Sequence, residues 1–372
     1  MQHNGWDLAL KVTAGGTGLV GHAGAVLLRK AADQAGLTAG LSAALRRKDA
    51  SPLLDRGDVL VSLAAAIALG ATSMSDIALL AYDGPVRIDL HTHSSASDGT
   101  DPPAEVMRRA RARGVGVVAL TDHDTVAGHA EARRALSPGP QDPPGLTLVP
   151  GMELSCRLHG RSLHLLAYLF DPAHPGLAAE VAKIRGDRVR RARAMVAKLN
   201  ALGAGVTWDQ VAAIAGDGVV GRPHIARAMA AAGVISDPAG AFTAEWIGDG
   251  GRAHEDKYAL DPAVAIGLVR GAGGISVLAH PGTAGYEVPD EVISRLAAAG
   301  LAGVEVWHPE QPPAERSRAR ALADDLGLVA TGGSDDHGAL TGYRIGCETT
   351  PPESWDRLAA QASSPPVTPH HP

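Results

Sequence analysis

The chain has 372 residues, 45% of them hydrophobic, and a formal net charge of -6, which is length enough for a sizeable core and more than one domain. Aromatic residues make up only 3% against 45 glycines and 25 prolines, so small-residue packing with many turns is expected rather than an aromatic-rich sandwich. The acidic balance argues against a broad nucleic-acid-binding surface, although carboxylates that hold cations enter that sum as if bare. Cys156 and Cys347 are the only cysteines, which excludes a disulfide framework and fits a cytoplasmic location. A secretory signal is not expected. The longest apolar run, "VLVSLAAAIALGATSM" from Val59, is short, rich in small residues and bracketed by Asp58 and Asp76; it reads as a buried helix, not a membrane span.

Residues 1–83 predict helices and carry none of the His/Asp punctuation that follows. Their glycine-rich stretch and "ATSMSDIALL" resemble the N-terminal region of IS1380-type transposases, without the acidic catalytic core such enzymes need. The segment is expected to be a fused remnant, helical or partly disordered, or else an ordinary helical accessory domain.

From Val86 a βα rhythm begins. In "TDPPAEVMRRARARG" Thr100 or Asp101 can cap a helix, prolines enter its first turn, Glu105 suits its N-terminus and Gly114 can stop it. Seven β-like segments follow one another: "IDL", "VGVVAL", "LTLVPGMEL", "SLHLLAYLF", "GISVLAH", "GVEVWH" and "LGLVATGGS". Ligand-type residues gather at their ends. That is how a β/α barrel assembles a site, because every strand opens onto one rim. In "IDLHTHSSASDGT" strand alternation aims His91 and His93 the same way while Thr92 points elsewhere. "LTLVPGMELSCRLHGRSLHLLAYLF" lacks a connecting helix and reads as a hairpin turning at His159-Gly160, which brings Glu153 and His164 to within about a residue of register.

The strand pattern lapses between residues 171 and 261, where helical segments predict an inserted subdomain able to overhang the rim as a lid. The expected organisation is therefore a barrel from residues 86–170 and 262–351, the insertion at 171–261, and a C-terminal tail from 352 to 372.

The strand ends supply His91, His93, Asp98, His123, Glu153, His164, His280, Asp335 and His337. Imidazoles and carboxylates without a thiolate cluster suit Zn, Mn or Fe rather than a zinc knot or a calcium loop. Clustered cations of this kind serve phosphate ester hydrolysis.

"DLHTHSSASDGT", "LTDHDTVAG", "GMELS", "HLLAY", "LAHP", "EVWH" and "GGSDDHG" resemble, in order, the motifs of the PHP (polymerase and histidinol phosphatase) family, over about Val86 to Pro351. The resemblance implies an α/β fold, a distorted (β/α)7 barrel with a trinuclear centre. Carried over motif by motif, it implies that His91, His93, Glu153 and Asp335 hold a first metal. Glu153 would bridge to a second held by His164 and His280, and Asp98, His123 and His337 would hold a third. Asp122 and Asp124 would either orient His123 or satisfy turn amides.

"HLLAY" followed by an insertion with "GRPHIARAM" resembles the TrpH/YciV-like branch of nucleoside 3',5'-bisphosphate phosphatases and 5'-3' exoribonucleases. It implies a metal-bound hydroxide attacking phosphorus in line, with a nucleotide or short oligonucleotide as substrate; no membrane association is expected and no obligate protein partner is inferred. Arg222 and His224 are expected to bind phosphate from the rim, the guanidinium fork matching its oxygens. His308 is expected to contact phosphate or donate a proton, and Ser94 is a weaker substrate candidate. The catalytic set is then His308, Asp335 and Arg222. The arginines of "IRGDRVRRARAM" could guide a polynucleotide or simply form a solvated face, and Cys156 reads as a buried barrel thiol. Histidinol-phosphate phosphatase is the alternative enzyme; a nucleic-acid-binding fusion with an inert barrel is the alternative outside catalysis.

Overall fold

The computed structural model describes residues 31–45, 57, 60, 61, 64, 86–137, 145–284 and 287–367, and the chain divides into two units, Met1–Pro85 and Val86–Pro372. In the first, helix α1 spans Leu37–Ala44 after a left-handed Gly36. The transposase-like remnant and the apolar run from Val59 lie almost wholly outside the described residues. No described helix is long and apolar enough to cross a membrane.

The second unit is a seven-stranded wheel in which each strand pairs with its neighbours in chain order. Strand β1 (Arg87–Asp89) leads through α2 (Pro103–Ala112) to β2 (Val115–Leu120), and α3 (His129–Arg134) leads to β3 (Thr147–Leu158). Strand β4 (Arg161–Tyr168) runs antiparallel to both β3 and β5 (Ile275–Leu278). Helix α8 (Asp290–Ala298), to be followed by β6 (Gly303–Trp307), α9 (Pro313–Leu326) and β7 (Val329–Gly332), completes the circuit after the insertion described below. All other neighbouring pairs are parallel. Beyond the strands the circle is closed at the rim by Asp335 N–H donating to His91 O (2.8 Å) and His93 N–H donating to Asp336 O (2.9 Å).

Local chemistry sets these boundaries. Gly114, at φ 70°, lets the chain turn from α2 into β2 as expected. The expected Thr100 or Asp101 cap is absent: Pro102 holds the cap position without a side-chain bond, and the Asp101 carboxylate pairs with Arg109 instead (2.5 Å). The β3–β4 hairpin turns at His159 and Gly160, both with positive φ (47° and 81°), between the paired Leu158 and Arg161, the signature of a two-residue turn whose twist matches its strands.

Inside the wheel, Ile88, Val117, Ala119, Val149, Leu166, Tyr168, Ile275 and Val277 pack into one cluster. Helix α10 (Pro352–Ala359) plugs it with Trp355 and Leu358, and Val367 pairs with Leu148. The segment from 352, read from the sequence as a C-terminal tail, packs into the core and adds a bridge to β3, as the amphipathic spacing of its helix allows.

The insertion comprises α4 (Pro175–Ala201), α5 (Trp208–Ala215) and α6 (Arg222–Ala231), and α7 (Pro262–Gly271) returns the chain to β5. Met195, Val196, Leu199, Val211, Ile225 and Met229 give it a core of its own, while Leu177 and Ile184, earlier on α4, belong to the barrel's. One helix therefore serves both bodies.

Candidate metal centre

Strand alternation brings the predicted residues together. His91 and His93, just beyond β1, place their Nε2 atoms 3.1 Å apart. Each lies 3.2 Å from Asp335 Oδ1, and they stand 3.3 and 3.2 Å from Glu153 Oε2. Glu153 divides its carboxylate: Oε1 faces His164 Nδ1 at 2.7 Å and His280 Nε2 at 3.2 Å. His164 opposes Ser155 in the ladder rather than Glu153, so the offset is two residues, not one. An even offset keeps both side chains on one face. A third group forms where Asp98 Oδ1 lies 3.3 Å from His337 Nε2, with His123 Nε2 at 3.8 Å from Oδ2. His123 also turns Nδ1 toward Glu153 Oε2 (3.1 Å) and so stands between two groups.

The donor set fits divalent cations. Ligand atoms of His91, His93, Glu153 and Asp335 converge, as do those of His93, Asp98, His123 and His337, and those of His123, Glu153 and His164. Among the described residues, the buried His93 Nδ1, Asp98 Oδ1 and His123 Nδ1 make no hydrogen bond of good geometry despite the close charged neighbours of the last two, a cost that ligation would remove. Burial disfavours ionisation of Asp98, Glu153 and Asp335, yet the surrounding imidazoles outweigh it and hold all three well below the usual carboxylate range. A divalent cation supplies that compensation while leaving imidazole neutral, its ligating form.

Outer contacts fix the rings. Glu305 Oε1 takes His91 Nδ1 (3.1 Å), and its Oε2 accepts the His280 N–H (2.8 Å). His337 Nδ1 faces Asp335 O at 3.0 Å. Both arrangements leave Nε2 directed at the centre. Asp89 accepts the N–H groups of His91, Ser334 and Gly346, tying β1 to the β7 loop. His280 and Asp335 adopt positive φ (30° and 49°), a strain of the kind found at sites.

Sequence reasoning missed Glu305 and Asp89 as site residues. Their signal was an acid inside an apolar strand, in "VEVWH" and "IDLH". Asp122 and Asp124 prove to serve amides and hydroxyls. Asp122 accepts from Ser94 N–H and Oγ–H, both at 2.7 Å, and from Ser97, which fixes the fully buried Ser94 in the loop. Asp124 accepts from Ser155 N–H and Oγ–H and from Arg188.

The rim residues also depart from expectation. His308 is 1% exposed and its Nε2 lies 3.2 Å from Asp335 Oδ2. Its Nδ1 accepts the Glu310 N–H, so both ring nitrogens face protein groups and the ring holds Asp335 from the side. His224 is buried and its Nδ1 accepts the Gly221 N–H (2.9 Å), capping α6 rather than standing open. Arg222 pairs with Asp249 (2.6 Å). The arginine run is engaged as well: Arg190 bonds Glu255, and Arg191 bonds the Glu255 carbonyl. Burial pushes the Cys156 thiol well up, which keeps it inert.

A rim of imidazoles and carboxylates at the strand ends of an α/β wheel defines a metal-dependent hydrolase. A family model described as PHP domain matches residues 89–180. A 3',5'-nucleoside bisphosphate phosphatase of Chromobacterium violaceum is 34% identical over 75% of this chain and 99% of its own length. A 5'-3' exoribonuclease of Haemophilus influenzae is 34% identical over 68% of this chain and 90% of its own. Among solved structures, a metal-dependent phosphoesterase from Bifidobacterium adolescentis superposes with a TM-score of 0.69 at 32% identity, over 76% of this chain and 98% of that one. The chain belongs to the PHP family and is a metal-dependent phosphoesterase.

Proposed function

We propose that the protein hydrolyses phosphate esters of nucleotides or short RNA, with three divalent cations, Mn, Zn or Fe, held by the nine residues at the rim. One observation carries this reading: Glu153 offers one oxygen to the His91/His93/Asp335 group and the other to His164 and His280, with the Asp98/His337 group adjacent. Bound cations lower the pKa of water and neutralise phosphate oxygens. The chain's own side chains do the rest. Glu305 and the Asp335 carbonyl fix the ring orientations of His91 and His337, and His308 positions Asp335. Arg222 binds phosphate at the wall of the insertion. The two relatives named above act, by their names, on nucleoside bisphosphates and RNA, which supports the substrate class.

The test is a panel of adenosine 3',5'-bisphosphate, 5'-phosphorylated oligoribonucleotides and histidinol phosphate, with protein stripped by chelator and reloaded with Mn, Zn or Fe. Turnover of the nucleotide substrates that vanishes on stripping and returns on reloading is expected. Preferential turnover of histidinol phosphate, or metal-independent activity, would overturn the reading.

A further inference from the structure

Asp98 stands on a tight turn that two other parts of the chain hold. The turn closes on itself where Ser97 N–H and Gly99 N–H both donate to Ser94 O, at 3.1 and 3.0 Å, and Thr100 N–H donates to His337 O at 3.2 Å. Asp122 grips it by the bonds it accepts from Ser94 and Ser97. The other grip comes from the insertion, through the loop between α5 and α6: Val219 N–H donates to Ala96 O at 3.0 Å.

Gly218 lies against the same turn. A β-carbon there would stand 2.5 Å from Ser95 O and 3.2 Å from Ser97 O. The φ of Gly218 is outside the left-handed region, so closeness to the turn, not backbone conformation, demands glycine at this position. Ser95 O belongs to the backbone and cannot swing aside as the end of a side chain can; an atom added at Gly218 must displace the turn or the insertion. Asp98 follows Ser97 directly and is the only carboxylate of the group it forms with His93, His123 and His337. Such a constellation tolerates displacements of only about 0.5 Å, and opening a 2.5 Å contact to 3.0 Å uses all of that tolerance.

We propose that the insertion is a structural part of the third cation's site: the backbone at Gly218 and Val219 positions Asp98, and the Asp98/His123/His337 cation binds tightly only with that loop seated. This rests on the three-cation reading above and adds to it that the insertion, expected from the sequence as a lid, sets the occupancy of one site in three. Gly218 and Val219 are positioning residues, acting on the cation only through Asp98. Seating the loop and filling the site favour each other, so the coupling runs equally in both directions.

The test titrates the full chain, stripped by chelator, with Mn by calorimetry and follows amide hydrogen exchange in residues 94–99 and 216–220 along the titration. The proteins are the wild type, Gly218→Ala and Gly186→Ala, the last a site on α4 where an added β-carbon meets nothing within 4 Å. In the wild type, the binding step that slows exchange in 94–99 is expected to slow it in 216–220 as well, although none of the nine rim residues lies there. Gly218→Ala should weaken that one step by about 10- to 100-fold and leave the other two unchanged, while Gly186→Ala binds as the wild type does. Exchange in 216–220 that ignores the metal overturns the proposal without any variant, and decides the matter alone should Gly218→Ala not fold. Equal weakening of all three steps in folded Gly218→Ala, the mark of a general packing defect, overturns it too, as does no weakening. A wild type that takes up fewer than three equivalents overturns the three-cation reading instead.

Discussion

Arg188 crosses from the insertion to the rim: its Nε donates to Asp124 Oδ2 at 2.8 Å and its NH2 group to Ser155 Oγ at 3.0 Å. Asp124 is fully buried and Arg188 only 14% exposed, so Arg188→Met strands a carboxylate away from water. Breaking a buried pair in this way costs about 3–5 kcal/mol, and the two bonds from Ser155 put the loss near the lower end, about 3 kcal/mol. In a body of this size that is a fall of roughly 6–12 °C in melting temperature. The assay is a double-mutant cycle with Asp124→Asn, read by unfolding at fixed metal concentration, where a coupling of at least about 2 kcal/mol is expected. The pH dependence has a definite sign. Burial works against ionisation of Asp124, but Arg188 and the Ser155 N–H prevail and hold it below its ordinary 3.8. The contribution is therefore present in full above that value and is lost as pH falls through the lower folded one. Additive single-variant losses, or a wild-type advantage that persists unchanged well below pH 3.8, would refute the reasoning.

Other outcomes follow from the same geometry. Glu305→Gln weakens the acceptor for His91 and should lower metal affinity about 10- to 100-fold, measured by competition with a chelating dye; unchanged affinity would remove Glu305 from the centre's support. His308→Phe should lower kcat with little change in KM if the ring positions Asp335, whereas a dominant rise in KM would restore the substrate contact first expected of it. Trp355→Ala, in a side chain 8% exposed, should cost about 3–5 kcal/mol, a loss that a trailing tail would not suffer.

The rim was legible because two periodicities expose it. Alternation pairs His91 with His93, and the recurrence of imidazoles and acids at strand ends marks one face of the wheel. The hairpin was legible from "HGR", but its register was not: a turn fixes which residues pair only when its two corner positions are known, and Leu158–Arg161 closure moves His164 opposite Ser155. What the sequence withheld is long-range. Arg188 lies 64 residues from Asp124, and nothing in a run of arginines separates the one that reaches the rim from those bonded to Glu255. His308 looked like a rim residue because it ends a strand, yet its neighbours Glu310 and Asp335 occupy both nitrogens. Lys257, which follows two acids in "HEDKY", becomes conspicuous only when its neighbours in space prove to be arginines.

The lone inverted strand, β4, has a consequence for how such a protein can diversify. Because β4 runs against its neighbours, the chain leaves it at the foot of the wheel, and the 27-residue α4 climbs back as a mast about 40 Å tall. A graft rooted at the foot can exchange its upper storeys without disturbing the nine rim residues, provided the Gly218 contact with Ser95 is kept, so new substrate preferences are open to evolution at low risk to the chemistry.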